Sequence, residues 1–271
     1  MLGAEAAAAS PLERMIRRDR LILALCLAVI AALSWFYLLT TGAAMRGMIS
    51  EGGMSAMSMP GMPGMQQSWP SELLPLFVMW AVMMVGMMLP SAAPLILLIL
   101  GVYRRRDDRH TRLNSLLFLG GYLLVWTIFS LAAASGQVGL HRAALLSSQM
   151  VATSGLLTGA ILIVVGVYQW LPAKNACLAH CRSPLSFLTE HWREGRAGAI
   201  RMGFVHGLFC VGCCWALMVL LFVAGVMNLL WVAAITAFVF VEKLSRKGFL
   251  LGRIAGVLLI AWGSYVLSRV L

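Results

Sequence analysis

From Met202 to Val241 the chain runs for 40 residues without a single Asp, Glu, Lys or Arg. As one α-helix that stretch would be about 60 Å long, twice the hydrocarbon thickness of a bilayer. It must fold back on itself, and Gly225 with Asn228 is the turn signal that allows it. The fold-back divides the stretch into two apolar runs, Met202–Val226 and Leu229–Val241. Five more runs lie at Leu21–Thr41, Leu73–Tyr103, Leu116–Ser135, Val151–Leu171 and Leu250–Leu267. Only 11% of the 271 residues are charged, against about 25% in an ordinary soluble domain. Charge is costly in hydrocarbon, so most of this chain has no wet surface. The expectation is all-α: a polytopic membrane helix bundle of about seven transmembrane helices. The sixth run is short enough to be re-entrant instead. Pro90 and Pro94 fall inside the second run and are expected to kink or break it.

The basic residues set the orientation. Arg14, Arg17, Arg18 and Arg20 precede the first run. Arg104, Arg105, Arg106, Arg109 and Arg112 follow the second, and Lys174, Arg182, Arg193, Arg196 and Arg201 the fourth. Lys243, Arg246, Lys247 and Arg253 follow the sixth, while the opposite side holds only Arg46, Arg142 and Arg269. This split places the N-terminus in the cytoplasm and the C-terminus outside, as in a multi-pass protein of the bacterial cytoplasmic membrane. It reads as a cytoplasmic segment 1–20 and one helical membrane domain 21–271, with a Met-rich outer loop at 42–72. The first run, 21 residues without a clear cleavage site, reads as a retained span. Although the net charge is +11, the basic residues cluster between apolar runs, which argues for a lipid bilayer as partner and against nucleic acid.

The outer loop holds Met45, Met48, Met54, Met57, Met59, Met62 and Met65 among Gly, Ser and Pro, with almost no Leu, Ile or Val. That composition cannot make a core. Thioether is a soft ligand suited to Cu(I), and it needs no deprotonation. The competing reading is a low-complexity linker. In the second run Met79, Met83 and Met87 recur every four residues on one helix face, widened by Met84 and Met88. Such a stripe alone reads as packing. Behind a Met-rich loop it becomes a candidate path for soft ions.

Six cysteines complete the pattern. Cys26 stands alone and reads as packing, whereas Cys177 and Cys181 follow the fourth run and Cys210, Cys213 and Cys214 lie in the fifth. At about 100° per residue, His206, Cys210, Cys213 and Cys214 share one helix face. Cys210 lies roughly 12 Å inside its span, so the two cysteine groups can converge near the inner side. Thiols in a reducing compartment favour metal ligation or redox chemistry over structural disulfides. Buried cysteine can equally be a small hydrophobe. His180 and His191 are weaker candidates, His110 sits in a basic loop, and His141 lies outside. Glu242, next to Lys243, reads as half of an interfacial ion pair rather than a ligand. The tryptophans read as interfacial anchors and packing.

Four segments, MWAVMMVGMMLPSAAP (Met79–Pro94), CLAHCRSP (Cys177–Pro184), GFVHGLFCVGCCWALM (Gly203–Met218) and GVMNLLWVAAITAFVFVEK (Gly225–Lys243), carry a likeness. Through them the chain resembles a family of predicted metal-binding integral membrane proteins described as copper-chaperone-like. The resemblance implies metal association, about seven spans, and a ligand set drawn from Met83, Met84, Met87, Met88, Cys177, Cys181, Cys210, Cys213 and Cys214.

The leading function is Cu(I) capture by Met residues and retention or relay through the Cys cluster by ligand exchange, without bond-making catalysis. Possible partners are a metal donor or acceptor protein, or a membrane complex. One alternative is a membrane thiol–disulfide oxidoreductase, and another is a non-enzymatic accessory subunit of a membrane complex that assembles a copper enzyme.

Overall fold

Gly225 adopts φ +91°, a left-handed conformation open to glycine and costly for any side chain. Asn228 then starts the next helix, its side chain accepting the Leu230 N–H at 3.2 Å. The fold-back expected from sequence is therefore built. The computed structural model describes residues 11–50, 69–106, 110–143, 154–226 and 228–270. Regular structure among the described residues is helical throughout. The helices are α1 (Pro11–Ser50), α2 (Trp69–Arg105), α3 (Thr111–Arg142), α4 (Gly155–Tyr168) and α5 (Pro172–Arg182), then α6 (Pro184–His191), α7 (Gly195–Val219), α8 (Leu221–Ala224), α9 (Leu229–Leu244) and α10 (Gly248–Ser268).

Five segments are long and apolar enough to cross a membrane: Arg17–Ala44, Glu72–Arg105, Thr111–Arg142, Gly195–Ala224 and Gly248–Ser268. The fourth expected run, Val151–Leu171, holds only the 14-residue α4, and α5 follows it across a 62° bend. Pro172 explains the break, since it begins α5 and disfavours helical geometry at Leu171. α9 has 16 residues and spans about 24 Å, short of a full crossing. Large apolar side chains, among them Leu25, Phe36, Leu116, Leu131, Val164 and Leu258, are exposed around the outside, as a lipid-facing surface requires.

Two local expectations need correction. α1 continues to Ser50 and α2 begins at Trp69, so both ends of the expected outer loop 42–72 are helical. Ala43, Ala44 and Met45 are good helix formers and carry α1 onward. Met54, Met57, Met59, Met62 and Met65 lie outside the described residues. In addition, α2 runs unbroken through Pro75, Pro90 and Pro94. Side chains support the backbone in that turn: the Met88 carbonyl accepts the Ser91 hydroxyl at 2.8 Å and the Tyr122 hydroxyl at 3.3 Å.

Small residues let the helices touch backbone to backbone. Gly203 of α7 lies against the Phe118 carbonyl of α3, and Gly121 of α3 against the Ile200 carbonyl of α7. Gly159 and Gly166 of α4 meet Gly263 and Gly256 of α10 in the same way. Asp19 accepts from Arg104 at 2.8 Å and Arg112 at 3.3 Å, tying the start of α1 to the end of α2 and the start of α3. Arg142 and Glu72 pair at 3.4 Å at the opposite end.

The shorter helices stop partway along α7. The Tyr168 hydroxyl, from the last turn of α4, donates to the Gly212 carbonyl. The last turn of α9 brings Lys243 to Cys210, and Glu242 pairs there with Lys174 of α5. Gly252 of α10 packs beside that pair. The ends of α4 and α9 and the helix α5 thus converge on the cysteine segment of α7, with the start of α10 packed behind the Lys174–Glu242 pair.

Candidate metal centre

The Cys-Val-Gly-Cys-Cys segment sits in the middle of α7, where the 3.6-residue period turns Cys210, Cys213 and Cys214 inward together. All three are buried. The Cys210 carbonyl lies 3.1 Å from Cys213 Sγ and 2.9 Å from Cys214 Sγ, so both thiols bond back to one turn of their own helix. From there the sulfurs diverge toward different neighbours. Cys213 Sγ is 3.9 Å from Cys181 Sγ of α5, and Cys214 Sγ is 3.8 Å from Met88 Sδ of α2. Cys210 Sγ is 3.3 Å from the Tyr122 hydroxyl of α3 and 3.1 Å from Lys243 Nζ of α9.

These spacings have chemical meaning. At a metal–sulfur bond of about 2.3 Å, two sulfurs on one ion stand about 3.8 Å apart in tetrahedral geometry and about 4.6 Å apart in line. Both sulfur pairs fall at the short end of that interval. Among the described residues, no three His, Cys, Asp or Glu side chains form a preassembled metal site. The arrangement is one of sulfur pairs held by different helices rather than a closed cage.

Cys177 is partly buried, one turn before Cys181, with its sulfur facing Gly212. A Cβ at residue 212 would come within 2.7 Å of that sulfur, so the glycine between Cys210 and Cys213 is what admits Cys177. Met79, Met83, Met84, Met87 and Met88 are all buried in the core. Met88 is the one that reaches a cysteine sulfur. Met79 and Met83 border a narrow cleft with Leu38, Gly42, Val226 and Leu229, at the far end of the stripe.

His206 is buried but turns into an aromatic nest. Its ring stacks on Tyr122 with centroids 5.8 Å apart, meets Phe187 edge-on at 5.1 Å, and leaves Nδ1 without a hydrogen-bond partner. His180 lies flat on Phe209 at 4.2 Å and its Nε2 is 3.3 Å from Glu190. His191 stacks on Phe187. Cys26 is exposed on α1, contrary to its reading as packing.

Glu242 is half of an ion pair, as expected, but its partner is not the adjacent Lys243. It is buried against Lys174, which also bonds Gln169. Lys243 points away from it, to Cys210 and, at 3.0 Å, to the Ser91 hydroxyl. Adjacent residues on a helix project about 100° apart, which is why neighbours in sequence found separate partners. Tyr122 and Ser91 carried no signal of their own in the sequence.

A family model described as PpoB2: Copper chaperone matches residues 77–266, well over half of the chain. The matched region contains the methionine stripe, every cysteine but Cys26, and Lys243. No curated protein and no solved structure matches.

Proposed function

The chain belongs to the PpoB2 copper chaperone family, and from that premise we propose that it is a multi-pass protein of the bacterial cytoplasmic membrane that takes up Cu(I) and passes it on by ligand exchange. The five long apolar helices, the α4–α5 pair and α9 together make seven membrane segments, with the N-terminus in the cytoplasm. The methionines of the outer loop capture the ion. The α2 stripe from Met79 to Met88 conducts it inward. The sulfurs of Cys181, Cys210, Cys213 and Cys214, with Met88, receive it, and Cys177 stands at the edge of the group. His206 serves the centre by packing Tyr122 rather than as a ligand.

The observation that carries this reading is the meeting of Met88, Cys181, Cys213 and Cys214 in two pairs at 3.8 and 3.9 Å inside an apolar core. Sulfur donors select soft ions such as Cu(I) over Mg²⁺ and Ca²⁺, which require oxygen ligands. The test is anaerobic Cu(I) titration of the purified protein against a chelator, with Zn²⁺ as competitor. Near-stoichiometric copper should be retained by the natural protein and lost when Cys210, Cys213 and Cys214 are all replaced by Ser. A folded triple variant that keeps its copper sinks the site.

The 3.9 Å approach of Cys181 to Cys213 also suits a dithiol that closes to a disulfide. In that second reading two thiols lose two protons and two electrons to a quinone. Loss of two free thiols on adding a quinone to metal-free protein would favour it and leave the methionine stripe as packing.

A further inference from the structure

Lys243 has a cysteine sulfur and a serine hydroxyl as its hydrogen-bond partners. It lies in the last turn of α9, buried, with Nζ 3.1 Å from Cys210 Sγ and 3.0 Å from Ser91 Oγ. The adjacent carboxylate is engaged elsewhere, since Glu242 pairs with Lys174. Among the described residues no carboxylate forms an ion pair with Lys243. The other titratable groups that face the ammonium are Cys213, Cys214 and His206 of α7, Cys181 of α5, Tyr122 of α3 and the Lys174-paired Glu242 of its own helix.

A buried ammonium is expensive unless an anion offsets it, and a buried thiolate is expensive unless a cation does. Here each supplies the other's need, and the ammonium is tethered where it cannot leave. It therefore persists beside any metal ion that arrives at the sulfurs. Its repulsion of that ion scales with the ion's charge, so a divalent ion is penalised twice as much as a monovalent one.

We propose that Lys243 is a specificity-determining residue: a fixed positive charge beside Cys210 that biases the sulfur centre toward monovalent soft ions, Cu(I) and Ag(I), over divalent soft ions, Zn²⁺ and Cd²⁺. The inference rests on the copper-handling reading and adds what selects the ion's charge. Softness alone does not make that selection, because thiolates also bind zinc and cadmium well. One unit of extra charge at about 4–5 Å and an effective dielectric of about 20 corresponds to roughly a hundredfold or more in affinity ratio.

The experiment is competition between Ag(I) and Cd²⁺ for the full-length protein in nanodiscs, read by bound metal and by the thiolate–cadmium charge-transfer absorption. Lys243→Met should lower the Ag(I)-to-Cd²⁺ preference by roughly a hundredfold. Lys243→Arg, which keeps the charge, should hold the preference within a few fold. If Lys243→Met does not fold, Lys243→Gln, which keeps a donor toward Ser91, reports the same ratio. A variant that weakens both ions equally, leaving the ratio unchanged, overturns the inference and reduces Lys243 to packing. A natural protein that binds neither ion overturns the copper reading itself, and the inference with it.

Discussion

The Lys174–Glu242 pair is buried on both sides, each partner about 1% exposed. It joins α5 to α9 at the level of the cysteines, with Gln169 at the α4–α5 break as a second acceptor for Lys174 and Gly252 of α10 packed alongside. Removing one partner strands the other's charge in the core. Lys174→Met leaves a carboxylate facing Gly252, and Glu242→Leu leaves an ammonium held only by Gln169. Either single change should cost about 3–5 kcal/mol, whereas the double replacement by apolar side chains should be nearly neutral or stabilising. At roughly 2–4 °C per kcal/mol for a chain of this size, each single variant should unfold roughly 6–20 °C lower. Thermal unfolding in detergent followed by tryptophan emission measures all four corners of the cycle. Two single losses under about 2 °C, or a double variant that loses their sum, would refute the claim that these charges depend on each other.

Two further perturbations bear on the packing and the path. Gly203→Ala puts a Cβ into the Phe118 carbonyl and must push α3 from α7, at about 1–3 kcal/mol, while Gly136→Ala, with nothing within 4 Å, should be silent; equal melting temperatures for the two would contradict the close α3–α7 contact. Met83→Leu combined with Met87→Leu nearly conserves volume and should cost under about 1.5 kcal/mol each, leaving the tight Cu(I) stoichiometry intact but slowing loading in proteoliposomes; an unchanged loading rate would return the stripe to packing alone.

The all-helical class with long apolar helices was legible because apolar run length answers directly to bilayer thickness, and the turn at Gly225–Asn228 because a 40-residue uncharged stretch had nowhere else to bend. The shared face of Cys210, Cys213 and Cys214 followed from helical period alone. What was not legible depended on which helix lies opposite which. His206 occupies that same face, yet its ring is claimed by Tyr122 and Phe187. That Glu242 belongs to an ion pair was legible, but its partner Lys174 comes from another helix, since adjacent side chains such as Glu242 and Lys243 do not face each other. Pro90 and Pro94 were expected to kink or break their helix, yet α2 runs unbroken through both, and the Tyr122 hydroxyl that reaches the Met88 carbonyl from α3 belongs to tertiary packing.

The pairing of sulfurs, rather than their enclosure, bears on what such a centre can do. A closed four-ligand cage suits a structural ion, whereas a site that must exchange keeps positions open. In this fold Cys213 reaches toward α5 and Cys214 toward α2, while their common helix holds both thiols to the Cys210 carbonyl. An ion delivered along α2 would meet Met88 and Cys214 first. Moving on to Cys213 and Cys181 then requires only that side chains one residue apart on α7 trade ligands. Lys243, held at Cys210, stands beside the same turn of α7. On the proposed function, the vicinal cysteines are therefore the exchange point between an α2-facing pair and an α5-facing pair, which is a role that neither Cys213 nor Cys214 could fill alone.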